Sequence, residues 1–163
     1  MSRILNRLRV AFVAVVVLTV LLACSQDEGR VNCDPQDGLT VVCGFQSPED
    51  FARLPDGSGV LVSEFGMEED SSGQISLLDL ATGERRVLYS AELSNDMRMP
   101  NPIWGDPTCQ EPVAFSPHGI DLYPRGSRYQ LLVVNHASRE SIEMFELSFR
   151  EGEWDLQWRL CRG

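Results

Sequence analysis

The chain has 163 residues, 43% of them hydrophobic and 23% charged, a balance that suits one folded domain and excludes a disordered chain. Asp and Glu outnumber Arg and Lys by 24 to 14, giving a formal net charge of −10. Phosphate backbones are held by clustered cations, so this balance excludes nucleic acid as a partner. The basic residues are all Arg and lie scattered, which fits the codon usage of a GC-rich genome better than a functional cluster.

In chain order, Arg3, Arg7 and Arg9 precede an apolar run from Val10 to Leu22, followed by Leu21-Leu22-Ala23-Cys24-Ser25. A basic start, an apolar stretch too short for a comfortable membrane span and a small-residue step make residues 1–23 a secretory signal peptide. The step before Cys24 resembles the bacterial lipobox, which implies cleavage before Cys24 and a lipid on that cysteine; the alternative is a plain signal anchor. Lipoprotein sorting rules imply the cell envelope, on the periplasmic side of the outer membrane, because Ser25 rather than Asp follows Cys24. Residues 24–43 then read as the lipidated cysteine and a polar tether.

Cys33, Cys43, Cys109 and Cys161 remain. Four cysteines allow three pairings, and an oxidising compartment permits any of them. Cys33 with Cys43 is the most local choice, but spacing alone leaves all three open. No C-x-x-C occurs, which argues against a zinc or dithiol redox site.

Beyond residue 43 the sequence carries no helical period. Short apolar runs alternate with Gly, Pro and Asp turns, predicting strands at Val60–Val62, Gln74–Leu80, Arg86–Tyr89, Leu131–Val134, Ser141–Phe149 and Trp154–Trp158. The pattern repeats. Pro48 recurs as Pro117, the Val60 strand as the Leu131 strand, and Ile75 as Ile142, at offsets of 69, 71 and 67 residues. A repeat of about four strands predicts an all-β fold of the β-propeller type, residues 44–163 supplying about two blades. Roughly residues 90–113, rich in Pro and containing Trp104, form a long loop between the copies. Two blades do not close a ring, so the chain reads as the N-terminal portion of a longer protein; the alternative is a small two-sheet domain.

Both histidines fall in the second copy: His118 in Phe115-Ser116-Pro117-His118-Gly119-Ile120, and His136 at the end of Leu131-Leu132-Val133-Val134-Asn135-His136. Imidazole, with an ordinary pKa of about 6.5, serves as general base or proton shuttle; the plainer role is to cap a strand. Glu49 and Asp50 occupy the corresponding place in the first copy. On an extended segment they point to opposite sides and serve two sites, and carboxylates suit a hard cation such as Ca²⁺; a solvated turn is the plainer reading. Glu68-Glu69-Asp70 reads as a solvated loop. Neither a phosphate-binding Gly-rich loop nor Gly-x-Ser-x-Gly is present.

Phe-x-Pro-His-Gly-Ile (Phe115–Ile120), Leu-Leu-Val-Val-Asn-His (Leu131–His136), Glu-x-Phe-x-Leu (Glu143–Leu147) and Ser-x-Glu-Asp-x-x-x-Leu-Pro (Ser47–Pro55) together resemble the paraoxonase/arylesterase family, over roughly Phe45 to Trp158. The resemblance implies a six-bladed propeller with two calcium ions in its tunnel, acting on lactones and, in some members, aryl esters and organophosphates. It implies that His118 deprotonates water with His136 as its partner. It further implies that Glu49 binds the catalytic calcium, and that Asp50 and the Ile120 carbonyl bind the structural one. The family's remaining Asn and Asp ligands, and its disulfide from the N-terminal region to the last blade, have no counterpart before Gly163. Two other readings stand beside this one: a propeller of the gluconolactonase or strictosidine-synthase-like kind, which lacks the two-histidine signature, and a non-catalytic, lipid-anchored propeller that binds an envelope partner.

Overall fold

The computed structural model describes residues 33–35, 37–66, 72–93, 104–137 and 139–163. The expected signal peptide, Cys24 and the acidic run at 68–70 lie outside the described residues. These residues fall into two units that divide after Cys43. In the first, Cys33 and Cys43 pair as a disulfide with Cα atoms 5.9 Å apart, and Asp37 and Gly38 form a turn with positive φ.

The second unit, Gly44–Gly163, is all-β and contains two four-stranded antiparallel sheets. Sheet 1 is β1 (Pro48–Arg53), β2 (Gly59–Glu64), β3 (Gln74–Asp79) and β4 (Arg85–Ser90). Sheet 2 is β5 (Pro117–Arg125), β6 (Arg128–His136), β7 (Glu140–Arg150) and β8 (Glu153–Arg162). Each is a meander in which spatial order follows chain order. All six expected strands are present, and each copy of the repeat folds as one sheet. The strand missed in each copy is the first, because Pro48 and Pro117 look like turn residues. Pro at the first position of an edge strand withholds no N–H that a neighbour needs. The same rule admits a proline inside β5. β5 runs through Pro124 to Arg125, since Pro124 lies on an edge strand, and the chain reverses at Gly126 and Ser127.

The sheets pack face to face, β1 and β2 against β5 and β4 against β8. Register puts Leu61 and Ile75 of sheet 1, and Leu131, Val133, Phe145 and Leu147 of sheet 2, on the enclosed faces, and all are fully buried. Tyr89, Phe115 and Phe145 meet edge to face at centroid distances of 4.6 to 5.9 Å, filling the middle of this core. The loop before β5 is tied down rather than free. Cys109 is bonded to Cys161, Asp106 N–H donates to the Cys161 carbonyl, and Tyr89 donates its hydroxyl to Glu111. Trp104 is buried in the same loop under the Arg125 guanidinium, 4.5 Å above its ring.

Candidate functional site

Each sheet begins with the same irregularity. Pro48 pairs with Glu64, but the next pair is Asp50 with Ser63, so β1 carries one residue, Glu49, that β2 does not match. Pro117 pairs with Asn135, and the next pair is Ile120 with Val133, so β5 likewise carries one residue more than β6 across His118 and Gly119. These are β-bulges, which bend a strand and re-aim its side chains. They sit at one end of the two packed sheets and bring Glu49 to His118, with Oε2 3.3 Å from Nε2.

Two backbone bonds of the same kind hold the ends. Phe65 N–H donates to the Ser47 carbonyl and His136 N–H to the Ser116 carbonyl, each at 3.0 Å. Phe65 and His136, which hold the same place in the two copies, both meet the His118 ring. The His136 ring lies 5.4 Å from it and the Phe65 ring 6.4 Å, both edge to face. The His118 and His136 side chains are 54% and 37% exposed, which leaves them accessible to a solute. His136 Nδ1 lies 2.5 Å from the Glu140 carboxylate at the start of β7. An Nδ1–H donated to Glu140 leaves the lone pair of the neutral ring on Nε2.

Asp50 turns the other way, as adjacent residues of a strand do. Its Oδ2 accepts the Ile120 N–H at 2.9 Å and its Oδ1 the Phe51 N–H at 2.8 Å. Ser63, its pairing partner, accepts the Asp50 N–H at 3.0 Å and donates to the His118 carbonyl at 2.6 Å. Asp50 and Ser63 thus clasp the two sheets beside the histidines. All five residues singled out in the folded region, Glu49, Asp50, His118, Ile120 and His136, meet in this one corner.

The partners Glu140, Ser63 and Asn135 were not singled out from sequence, and neither was any buried carboxylate. Glu64 is fully buried and takes Arg85, Gln74, Ser76 and the Gln46 N–H. Glu143, also fully buried, takes Arg139, Ser141 and the Trp158 indole N–H. Glu146 sits on the other face under Arg128, Arg159 and Arg150. Burial pushes the Glu146 carboxyl up, but the hydrogen bonds and charge of Arg159 and Arg128 outweigh this and hold it below the usual range. The only sequence signal for these groups is an arginine two or more strand positions away, which solvated surface charges share.

A cleft of about 830 Å³ opens at the opposite end of the sheets, between the turn at Asp56, the end of β3 at Asp79 and the start of β8 at Trp154. The convergent imidazoles and carboxylates stand at the other, bulged end. Asp56 and Asp79 are held below the usual carboxylate range by N–H groups of their own turns, Ser58 and Thr82 respectively, so they serve as turn caps.

No protein-family model, curated protein or solved structure matches the chain.

Proposed function

We propose that the chain belongs to a calcium-dependent hydrolase of lactones and aryl esters, similar to the paraoxonase/arylesterase family, with its two sheets as successive blades of a six-bladed propeller. One observation carries the reading. His118 and His136, 18 positions apart in sequence, come into ring contact, and each has its own carboxylate, Glu49 and Glu140. Strand capping needs neither a second imidazole nor a paired acid.

In this reading His118, with Nε2 turned to Glu49, takes a proton from water at its other ring nitrogen. The water oxygen adds to the carbonyl carbon, and the ring C–O bond then breaks. His136, oriented by Glu140, takes the proton onward and returns it to the leaving alkoxide. The donor set near the histidines fits a hard cation. By the resemblance Glu49 would hold the catalytic calcium, and Asp50 with the Ile120 carbonyl the structural one; Asp50 stands beside the Ile120 main chain, and among the described residues each of its oxygens accepts one backbone N–H, keeping a lone pair for a metal. The calcium at Glu49 would supply a Lewis acid for the carbonyl oxygen. Calcium takes six to eight oxygens, so groups beyond these residues would have to complete each shell. The lipid on Cys24 would hold the enzyme at the envelope, and replacement of Cys24 by Ser would release it into the soluble fraction.

The test is hydrolysis of a simple δ-lactone and of phenyl acetate by the product of the whole reading frame, with calcium and with a chelator. His118→Gln and His136→Gln are each expected to lower kcat by about 10²-fold or more. A double variant that hydrolyses both substrates at the wild-type rate sinks the proposal. Sequencing past codon 163 checks the propeller separately, since it requires further four-stranded repeats bearing Asn and Asp.

A further inference from the structure

Asn135 is fully buried at the end of β6, one residue before His136. Its Oδ1 accepts the Ser116 N–H at 2.8 Å and the Ala137 N–H at 3.4 Å. Both are main-chain donors, so the oxygen must face them and the amide cannot be turned over. That leaves Nδ2 as a buried donor without a hydrogen-bond partner among the described residues. A buried polar group left half-used calls for an explanation, because folding alone selects against it.

The two N–H groups it accepts from supply one. Ser116 lies two residues before His118, and its carbonyl takes the His136 N–H. Ala137 follows His136 directly. A single side-chain oxygen therefore ties the segment leading into one histidine to the segment leaving the other. An acceptor is needed here, and a charged one is disfavoured. Asn135 pairs with Ser141, and the arginine nearby in sequence, Arg139, is already engaged by Glu143, which also takes Ser141 and Trp158. A second carboxylate at 135 would be buried without a cation of its own. An amide gives the acceptor without charge, and the idle Nδ2 is the cost of that choice.

We propose that Asn135 is a positioning residue that sets the ring contact between His118 and His136. The proposal rests on reading those histidines as the site, but its primary readout does not depend on turnover. The chain has two histidines, so its imidazole proton signals are two sets, assigned by His136→Gln. Rings 5.4 Å apart give an inter-ring nuclear Overhauser effect in the wild-type chain. Asn135→Leu keeps the size and removes the acceptor; it is expected to abolish that signal and to lower lactone kcat by about 10²-fold with KM little changed. Asn135→Asp keeps the acceptor and is expected to keep the signal where it folds, at a cost in stability from its buried charge. An inter-ring signal that survives Asn135→Leu, or is missing from the wild type, overturns the proposal. Should Asn135→Leu fail to fold, Asn135→Ala, which removes the acceptor without adding bulk, decides: loss of the ring contact supports the proposal and its survival overturns it. Absence of hydrolysis with these ring-contact results intact would remove the reaction and leave the positioning role standing.

Discussion

The two sheets share a plan and differ in how they support it. Strands in sheet 1 are 6 residues long, whereas those in sheet 2 run from 9 to 11. Yet both place a bulge one step after the opening proline and both close the end with the same backbone bond, Phe65 to Ser47 and His136 to Ser116. Sheet 1 fills its bulge with Glu49 and sheet 2 with His118. The polar side chain at the end of the second strand also differs. Register puts Glu64 on the same face as Val62 and Ser76, away from sheet 2, where it gathers Arg85. Asn135 shares the enclosed face of Val133 and takes no cation among the described residues. A repeated backbone device can therefore be kept while its side chains are divided between acids and imidazoles, and the pairing of unlike residues across the seam follows from the duplication.

The comparison can be broken most severely at the buried charges. Among the described residues Glu64 depends on one arginine and Glu146 on three. Arg85→Ala is expected to cost about 3–5 kcal/mol, because it strands a buried carboxylate, while Arg128→Ala costs about 1–2 kcal/mol with Arg159 and Arg150 still in place. Urea denaturation of both variants measures the gap, and equal losses would refute the distinction.

Two glycines near the seam form the next contrast. A Cβ on Gly73 would lie 2.5 Å from the Glu64 carbonyl oxygen and 2.5 Å from Pro117 Cδ. Gly73→Ala should therefore cost about 1–3 kcal/mol through overpacking and shift the start of β5. At Gly119 the nearest atoms would be 3.8 Å away, and Gly119→Ala should change stability by less than about 0.5 kcal/mol. Thermal unfolding of the two variants tests this.

The clasp between the sheets comes next. Ser63→Ala removes the hydroxyl that bridges Asp50 and His118 and should cost about 1 kcal/mol, read by urea midpoint.

The smallest effect is that of acid. The Glu146 carboxyl titrates below its unfolded value, so its contribution is complete above about pH 4.5 and is lost as pH falls through the lower, folded value. Glu146→Gln should flatten that part of the stability–pH curve, and an unchanged acid limb would contradict the assignment.

Much of this was legible in the sequence. Alternating apolar residues in Gln74–Leu80 and Ser141–Phe149, with Gly-rich turns between, define strands because a sheet face repeats every two residues. The Pro-His-Gly and Glu-Asp segments could be placed in corresponding positions because the repeat aligned them. The bulges were not legible, since one unmatched residue leaves no mark on hydropathy. The buried side of β7 was hidden for a different reason: Glu143 and Glu146 look like solvent-facing alternation, and only the arginines and Trp158 from other positions make their burial tolerable.

The bond between Cys109 and Cys161 closes a loop of 52 residues that takes in β5, β6 and β7 whole. Its chief effect falls on the unfolded chain, whose freedom it curtails by about 4 kcal/mol in the loop-entropy treatment. Marginal stability is of the same order. For sheet 2 the bond is then comparable to the whole margin of folding, and reducing it is expected to shorten the life of the histidine corner.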